Sequence, residues 1–284
     1  VNTAGYLRRL GLASLLDAPA GSGALRALHV AHVERVAYEA LEIWLGRPTT
    51  VDPLESAERV IRGRGGYCYH LNGAFSQLLI ALGYRVTRHV GGVQKRGGEP
   101  GVSGNHLVLT VRGLPSEANP GGEWLVDVGL GDALHEPLPL VAGVYRQGPF
   151  AYVLRPSEVA PGGWRLDHDR TGSFEGMDFG PDPVEMSAFT EMHHQLTTSP
   201  ESGFVRTAAV HRRDAYGVDS LRGLHLTRLG NGAHTVTLGT ARDYYAALAD
   251  VFLLPLDDVS GAEKDRLWRK VHESHEAWLA GDAS

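Results

Sequence analysis

RGGYCYHLN (residues 64–72) holds the single cysteine of a chain of 284 residues that carries 36 glycines and 14 histidines. Downstream of it Leu71, Phe75, Leu78, Leu79 and Leu82 recur at the spacing of one helix face, which predicts a helix starting at or near Cys68 and a left-handed stop at Gly83. A cysteine in the first turn of a helix meets unpaired backbone N–H groups and the positive end of the helix dipole, an environment that favours the nucleophilic thiolate. Gly65 and Gly66 are expected to let the backbone turn tightly and to leave room for a substrate at the sulfur. Arg64 adds positive charge there or, on the plainer reading, is a solvated arginine at a helix start. A lone cysteine is more often a small buried hydrophobe than a catalyst. Here a candidate base and a candidate orienting acid lie on neighbouring predicted strands: His106 opens HLVLTV (106–111) and Asp127 lies within WLVDVGL (124–130). An imidazole against the sulfur takes its proton, and a carboxylate on the far ring nitrogen fixes the tautomer.

The surrounding chain reads as helices first and strands later. Ser22 is expected to cap a helix carrying Leu25, Leu28, His32 and Val36, and Asp52-Pro53 with Glu55 to open one that places Leu54, Ala57, Val60 and Ile61 on one face. From Tyr84 the pattern alternates, through YRVTRHVGGV (84–93), the two stretches quoted above around the Pro/Gly-rich loop 112–123, FAYVL (150–154) and GGWRL (162–166), which predicts a sheet or small barrel. A further strand is expected near FVRTAAVHR (204–212), followed by a hairpin in 224–239 with a tight turn at Asn231-Gly232. Helix returns at the end, with Thr240 and Ser260 plus Glu263 as start signals and Leu267, Val271 and Trp278 as packing positions.

Composition narrows the function classes. With 43% hydrophobic and 21% charged residues the chain is an ordinary globular one, long enough for two or three packed domains. A formal charge of −6 without a dense Lys/Arg run argues against a nucleic-acid partner, and no apolar run reaches the roughly 18 residues of a membrane span. One cysteine forms no internal disulfide and the opening residues lack a signal-type pattern, so a cytoplasmic setting is expected. The adjacent His193-His194 point apart in regular structure, and no metal site is expected.

RGRGGYCYHLNGAF (62–75), NHLVLTV (105–111) and WLVDVGLG (124–131) closely resemble the three catalytic motifs of the arylamine N-acetyltransferase family, in the family's order, and similar segments extend over most of the chain. The resemblance implies an α+β fold in three parts: an N-terminal helical bundle (1–83), a central β-barrel (84–190) and a C-terminal α/β lid (191–284). It implies Cys68 as acyl-accepting nucleophile, His106 as its base and Asp127 as the residue orienting that base. It further implies ping-pong transfer from acetyl-CoA, or another acyl-CoA, to an arylamine, hydrazine or N-hydroxyarylamine. By the same resemblance Val93, Ser103 and Gly104 border the coenzyme cleft, although no glycine-rich phosphate loop is present: GLGDAL (129–134) lacks the fingerprint. Tyr38 and Phe204 fall at aromatic positions of the acceptor pocket.

The chain departs from the family pattern at four places. His70 stands where bacterial members usually carry Glu, either altering the acceptor site or replacing a structural hydrogen bond. Ala37-Tyr38-Glu39-Ala40 replaces Pro-Phe-Glu-Asn, adding a hydroxyl to the pocket; Leu130 replaces a phenylalanine; and Asp127 follows His106 by more residues than usual, the excess lying in the loop between the strands. Long hairpin loops cost little, so the pairing is expected to survive. The altered positions keep open a second reading, an amide synthase of a natural-product pathway that takes its acyl group from a carrier protein or closes a macrolactam. A Cys-His-Asp hydrolase and a non-enzymatic binding protein are the readings from other classes.

Overall fold

The computed structural model describes residues 1–282. The first 81 residues form helices α1 (Thr3–Arg9), α2 (Ser22–Arg35), α3 (Leu41–Leu45), α4 (Pro53–Ile61) and α5 (Cys68–Ala81), interrupted by a two-residue strand, β1 (Tyr38–Glu39). Asp52 caps α4 by accepting from the Leu54 amide, with Pro53 at the first helical position. Ser22, by contrast, is the first residue of α2 and not its cap. Extended Gly21 takes the cap position, and its carbonyl accepts from the Leu25 amide. In α4 the buried apolar stripe is Ala57 and Val60, spaced i, i+3, and half-buried Pro53 approaches Gly73 of α5. Leu54 is rotated off that stripe and is 47% exposed. α5 is the central helix, buried from Cys68 to Ser76, and Gly83 just beyond it adopts φ +85° as its left-handed stop.

Residues 85–179 form an eight-stranded antiparallel, barrel-like sheet. Its strands are β2 (Arg85–Gln94), β3 (His106–Arg112), β4 (Trp124–Val126), β5 (Leu138–Pro139), β6 (Gly143–Gln147), β7 (Phe150–Pro156), β8 (Trp164–Asp167) and β9 (Gly176–Phe179), in the order β5-β4-β3-β2-β9-β8-β7-β6. β3 is buried on both faces: Leu107, Leu109 and Val111 pack into the helical core with α5, while Val108 joins the barrel core with Leu125, Leu154 and Leu166. Because side chains alternate along a strand, His106 shares the barrel-facing side of Val108.

The last third contributes α6 (Thr190–Thr198), α7 (Gly203–Arg206), strands β10 (Ala209–Asp214), β11 (Gly217–Arg222), β12 (His225–Gly230) and β13 (His234–Thr237), then α8 (Ala241–Ala246) and α9 (Gly261–Asp282). Three expectations change here. Phe204–Arg206 is helical, because Ser202 Oγ accepts from the Phe204 amide and starts a turn; the strand begins at Ala209. Between β12 and β13 the last paired residues are Arg228 and His234, and positive φ falls on Gly230 and Gly232 rather than Asn231, so the connection is a longer loop and not a two-residue turn. Trp278 is 51% exposed, its indole resting on His225 and His275, while Leu267 and Val271 are buried. Thr240 caps α8, and Ser260 with Glu263 forms a reciprocal capping box at α9. β1 joins the edge of this sheet, in the order β1-β10-β11-β12-β13, so a strand from the helical segment extends the C-terminal sheet.

Candidate active site

Cys68 stands at the first position of α5, 3% exposed, its Sγ 3.6 Å from the Asn105 carbonyl oxygen. The glycine pair before it serves packing rather than substrate access. A Cβ on Gly65 would lie 2.0 Å from the Ala37 carbonyl oxygen and one on Gly66 2.5 Å from His70 Cβ, and neither residue has positive φ. Arg64 is likewise not solvated: it is buried and bridges Glu42 and Asp258, pinning the start of α5 to the segment before α9.

His106 and Asp127 meet Cys68 through strand register. β3 and β4 pair Leu109 with Val126, and continuing that pairing by one residue sets Asp127 opposite Val108, on the face His106 also uses. His106 Nε2 lies 2.7 Å from Asp127 Oδ2, both groups being buried, and the other side of the ring faces the Cys68 thiol. Burial by itself would depress the imidazole, but the Asp127 carboxylate and the neighbouring sulfur outweigh it and push His106 up to about 10. The long 112–123 loop does not disturb this contact. It is closed on itself by bonds from Trp124 Nε1 to the Leu114 carbonyl and from Asn119 Nδ2 to the Glu123 carbonyl.

Three further residues hold the arrangement: Asn72, which matches the family pattern in sequence, and Asn105 and His29, which sequence reasoning did not single out. Asn72, one helical turn beyond Cys68, donates to Asp127 Oδ1 (2.7 Å) and to the Leu107 carbonyl (2.7 Å) and accepts from the Val128 amide. Asn105 bonds both the amide and the carbonyl of Val93 through its side chain, fixing the residue before His106. His29 is fully buried and held neutral, its imidazole lowered to about 4 chiefly by burial; with Nδ1 donating to the His135 carbonyl, Nε2 accepts from the Asp127 amide. Only Asn72 left a signal, its place at the next turn on the face of Cys68.

Two expected results follow from this geometry. A methyl on Gly129 would sit 2.8 Å from Cys68 Cα and 2.9 Å from Asn72 Nδ2. Gly129→Ala is therefore expected to cost about 1–3 kcal/mol of stability and to depress activity with it; thermal unfolding and kcat/KM measure both, and parental values in each contradict the packing argument. The second concerns pH. A histidine whose folded value lies above its ordinary 6.5 stabilises the fold fully below that value and loses the contribution as pH rises through about 10. The unfolding free energy should fall between those limits, and Asp127→Asn should flatten the fall; an identical slope in the variant would remove His106 as its source.

A cleft of about 480 Å³ opens onto Cys68 and His106. Of the residues expected at substrate and coenzyme positions, Tyr38, Val93, Leu130 and Phe204 line it. His70 does not: it sits in the first turn of α5 with its ring packed edge-on against Tyr67 (4.4 Å) and His193 (5.6 Å). Ser103 and Gly104 also lie outside the lining, where the Gly104 carbonyl accepts from Tyr69 Oη and its amide bonds Gly91. Lys95, Arg96 and Arg222 border the cleft at exposed positions, and His211 lines its wall; none of the four was anticipated. Among the described residues no group of three or more His, Cys, Asp or Glu is placed to hold a metal ion, and no helix is long and apolar enough to cross a membrane.

Residues 23–260 match the family model described as N-acetyltransferase. The arylamine N-acetyltransferase of Mycolicibacterium smegmatis is 31% identical over 274 residues, covering 91% of this chain and 94% of that one. The chain belongs to the arylamine N-acetyltransferase family. It is thus a transferase with the family's α+β architecture. The structure of Mycobacterium marinum arylamine N-acetyltransferase in complex with CoA superposes with a TM-score of 0.83 at 26% identity, over 96% of this chain and 99% of that one. Proansamycin X synthase of Amycolatopsis mediterranei is 31% identical over a shorter stretch, half of this chain and 54% of that protein.

Proposed function

We propose that the protein transfers an acetyl group from acetyl-CoA to the nitrogen of an arylamine or hydrazine through a Cys68 thioester. The observation that carries the reading is the buried 2.7 Å contact of His106 with Asp127 beside a sulfur at the head of a helix, all opening onto one cleft. Asp127 holds the far nitrogen, Nε2, so the near nitrogen is free to take the thiol proton. The sulfur attacks the thioester carbonyl, and the coenzyme thiolate leaves with the proton returned by His106. The amine then attacks the acetyl-enzyme, loses a proton to His106 and departs as the amide, while Cys68 recovers its thiol. Exchange between two thioesters is nearly balanced in energy, and the acyl-enzyme stays activated toward an amine, which a serine ester would not.

Recognition of the coenzyme is supported by charge. A chain of net charge −6 gathers Lys95, Arg96 and Arg222 around this cleft, suited to the phosphates of a coenzyme. Arg96 is steadied by the Arg170 and Gly172 carbonyls. The M. marinum relative is described with CoA bound. Initial rates with acetyl-CoA and an arylamine varied together should give parallel double-reciprocal lines, the mark of a ping-pong order. Intersecting lines contradict the covalent route, and acetate release that no amine suppresses favours a hydrolase instead.

A further inference from the structure

We infer that His211, with Tyr38 beside it, is a specificity-determining pair that selects arylamine acceptors carrying a ring hydroxyl; this rests on the acetyl-transfer reading and names its acceptor class. The pair is built by register. Tyr38 of β1 stands directly opposite His211 of β10, so both side chains leave the sheet on the same face, with ring centroids 5.7 Å apart, and both line the cleft that holds Cys68. Gly131 packs behind them: a Cβ there would lie 3.4 Å from Tyr38 Cγ and 3.5 Å from His211 Cδ2.

His211 is 7% exposed, yet its Nδ1 is sealed from solvent without a hydrogen-bond partner. The nearest carboxylate does not serve it, because Asp132 is engaged by His168 Nε2 (3.3 Å) and by the Ser173 amide (2.6 Å) and hydroxyl (3.0 Å). A sealed nitrogen is out of a substrate's reach, so what the ring offers the cleft is Nε2, which is not sealed and which no described residue hydrogen-bonds; a polar edge of that kind on a substrate cleft is satisfied by the substrate. Burial lowers His211 to about 4, so the imidazole is neutral near pH 7 and Nε2 serves as donor or acceptor according to the tautomer; Tyr38 is held in its neutral phenol form, again chiefly by burial. A ring nitrogen that donates or accepts, beside a phenol that does both, complements a hydroxyl, which donates and accepts in turn. Leu130 and Phe204 supply the apolar walls for the ring that carries it.

The test compares 4-aminophenol with 4-methylaniline, which differ by a hydroxyl in place of a methyl of similar size. Decay of preformed acetyl-enzyme, followed by intact mass, reads the acceptor step alone. The hydroxyl-over-methyl preference should fall about tenfold or more in His211→Phe, and His211→Asn, which restores a donor and an acceptor, should recover part of it. An unchanged preference in His211→Phe overturns the inference. If that variant does not fold, Tyr38→Phe, which deletes only the hydroxyl, must reduce the preference, and the inference falls if it does not. Wild-type protein that acetyl-CoA fails to acetylate would instead refute the underlying transfer reading, a result distinguishable at the first step.

Discussion

Cys68→Ala is expected to lose acetyl transfer by at least about 10⁴-fold while remaining folded. The sulfur is the single thiol of the chain, and without it no thioester forms. The structural cost is small, since a buried thiol replaced by a methyl forfeits on the order of 1 kcal/mol, which moves the Tm of a chain this long by roughly 2–4 °C. Steady-state rates and thermal unfolding of the same preparation check both halves. Substantial activity in the variant would refute the nucleophile assignment.

Asp127→Asn is expected to lower kcat/KM on the order of 10⁴-fold, and the structure says why the amide cannot substitute. Oδ1 of Asp127 accepts from Asn72 Nδ2 at 2.7 Å and from the Gly129 amide at 3.0 Å. Two fixed donors force the amide oxygen into that position and turn its NH₂ toward His106 Nε2. The ring must then accept at Nε2 and carry its proton on the nitrogen facing Cys68, where it can no longer take the thiol proton. Initial rates across pH check this. A variant with near-parental rates would mean that another group orients His106.

How much of this was legible in the sequence depends on whether the signal was local. α5 was readable because its apolar period is strong and Gly83 ends it, and Asp52, Thr240 and Ser260 announced their helices by capping chemistry that needs only neighbours in the chain. Cys68, His106 and Asp127 were readable as residue types in a known order. β1 was not, because two residues become a strand only by pairing with β10, far away in sequence. The same non-local pairing hid His211, whose position in the cleft follows from facing Tyr38. Asn105 and His29 were hidden for a related reason: each acts on backbone groups of another element, and such bonds leave no periodic trace. The pocket reading of His70, though not its structural alternative, and the expectations for Gly65 and Arg64 went astray because position near Cys68 in sequence did not fix the direction each faces.

The covalent intermediate is the centre of this account, and intact-mass spectrometry after brief exposure to acetyl-CoA without amine tests it most directly. The account predicts one added acetyl group on the wild type, none on Cys68→Ala, and loss of the adduct when an arylamine is added. No adduct on a protein whose thiol is shown to be free, or an adduct that persists in Cys68→Ala, would contradict it.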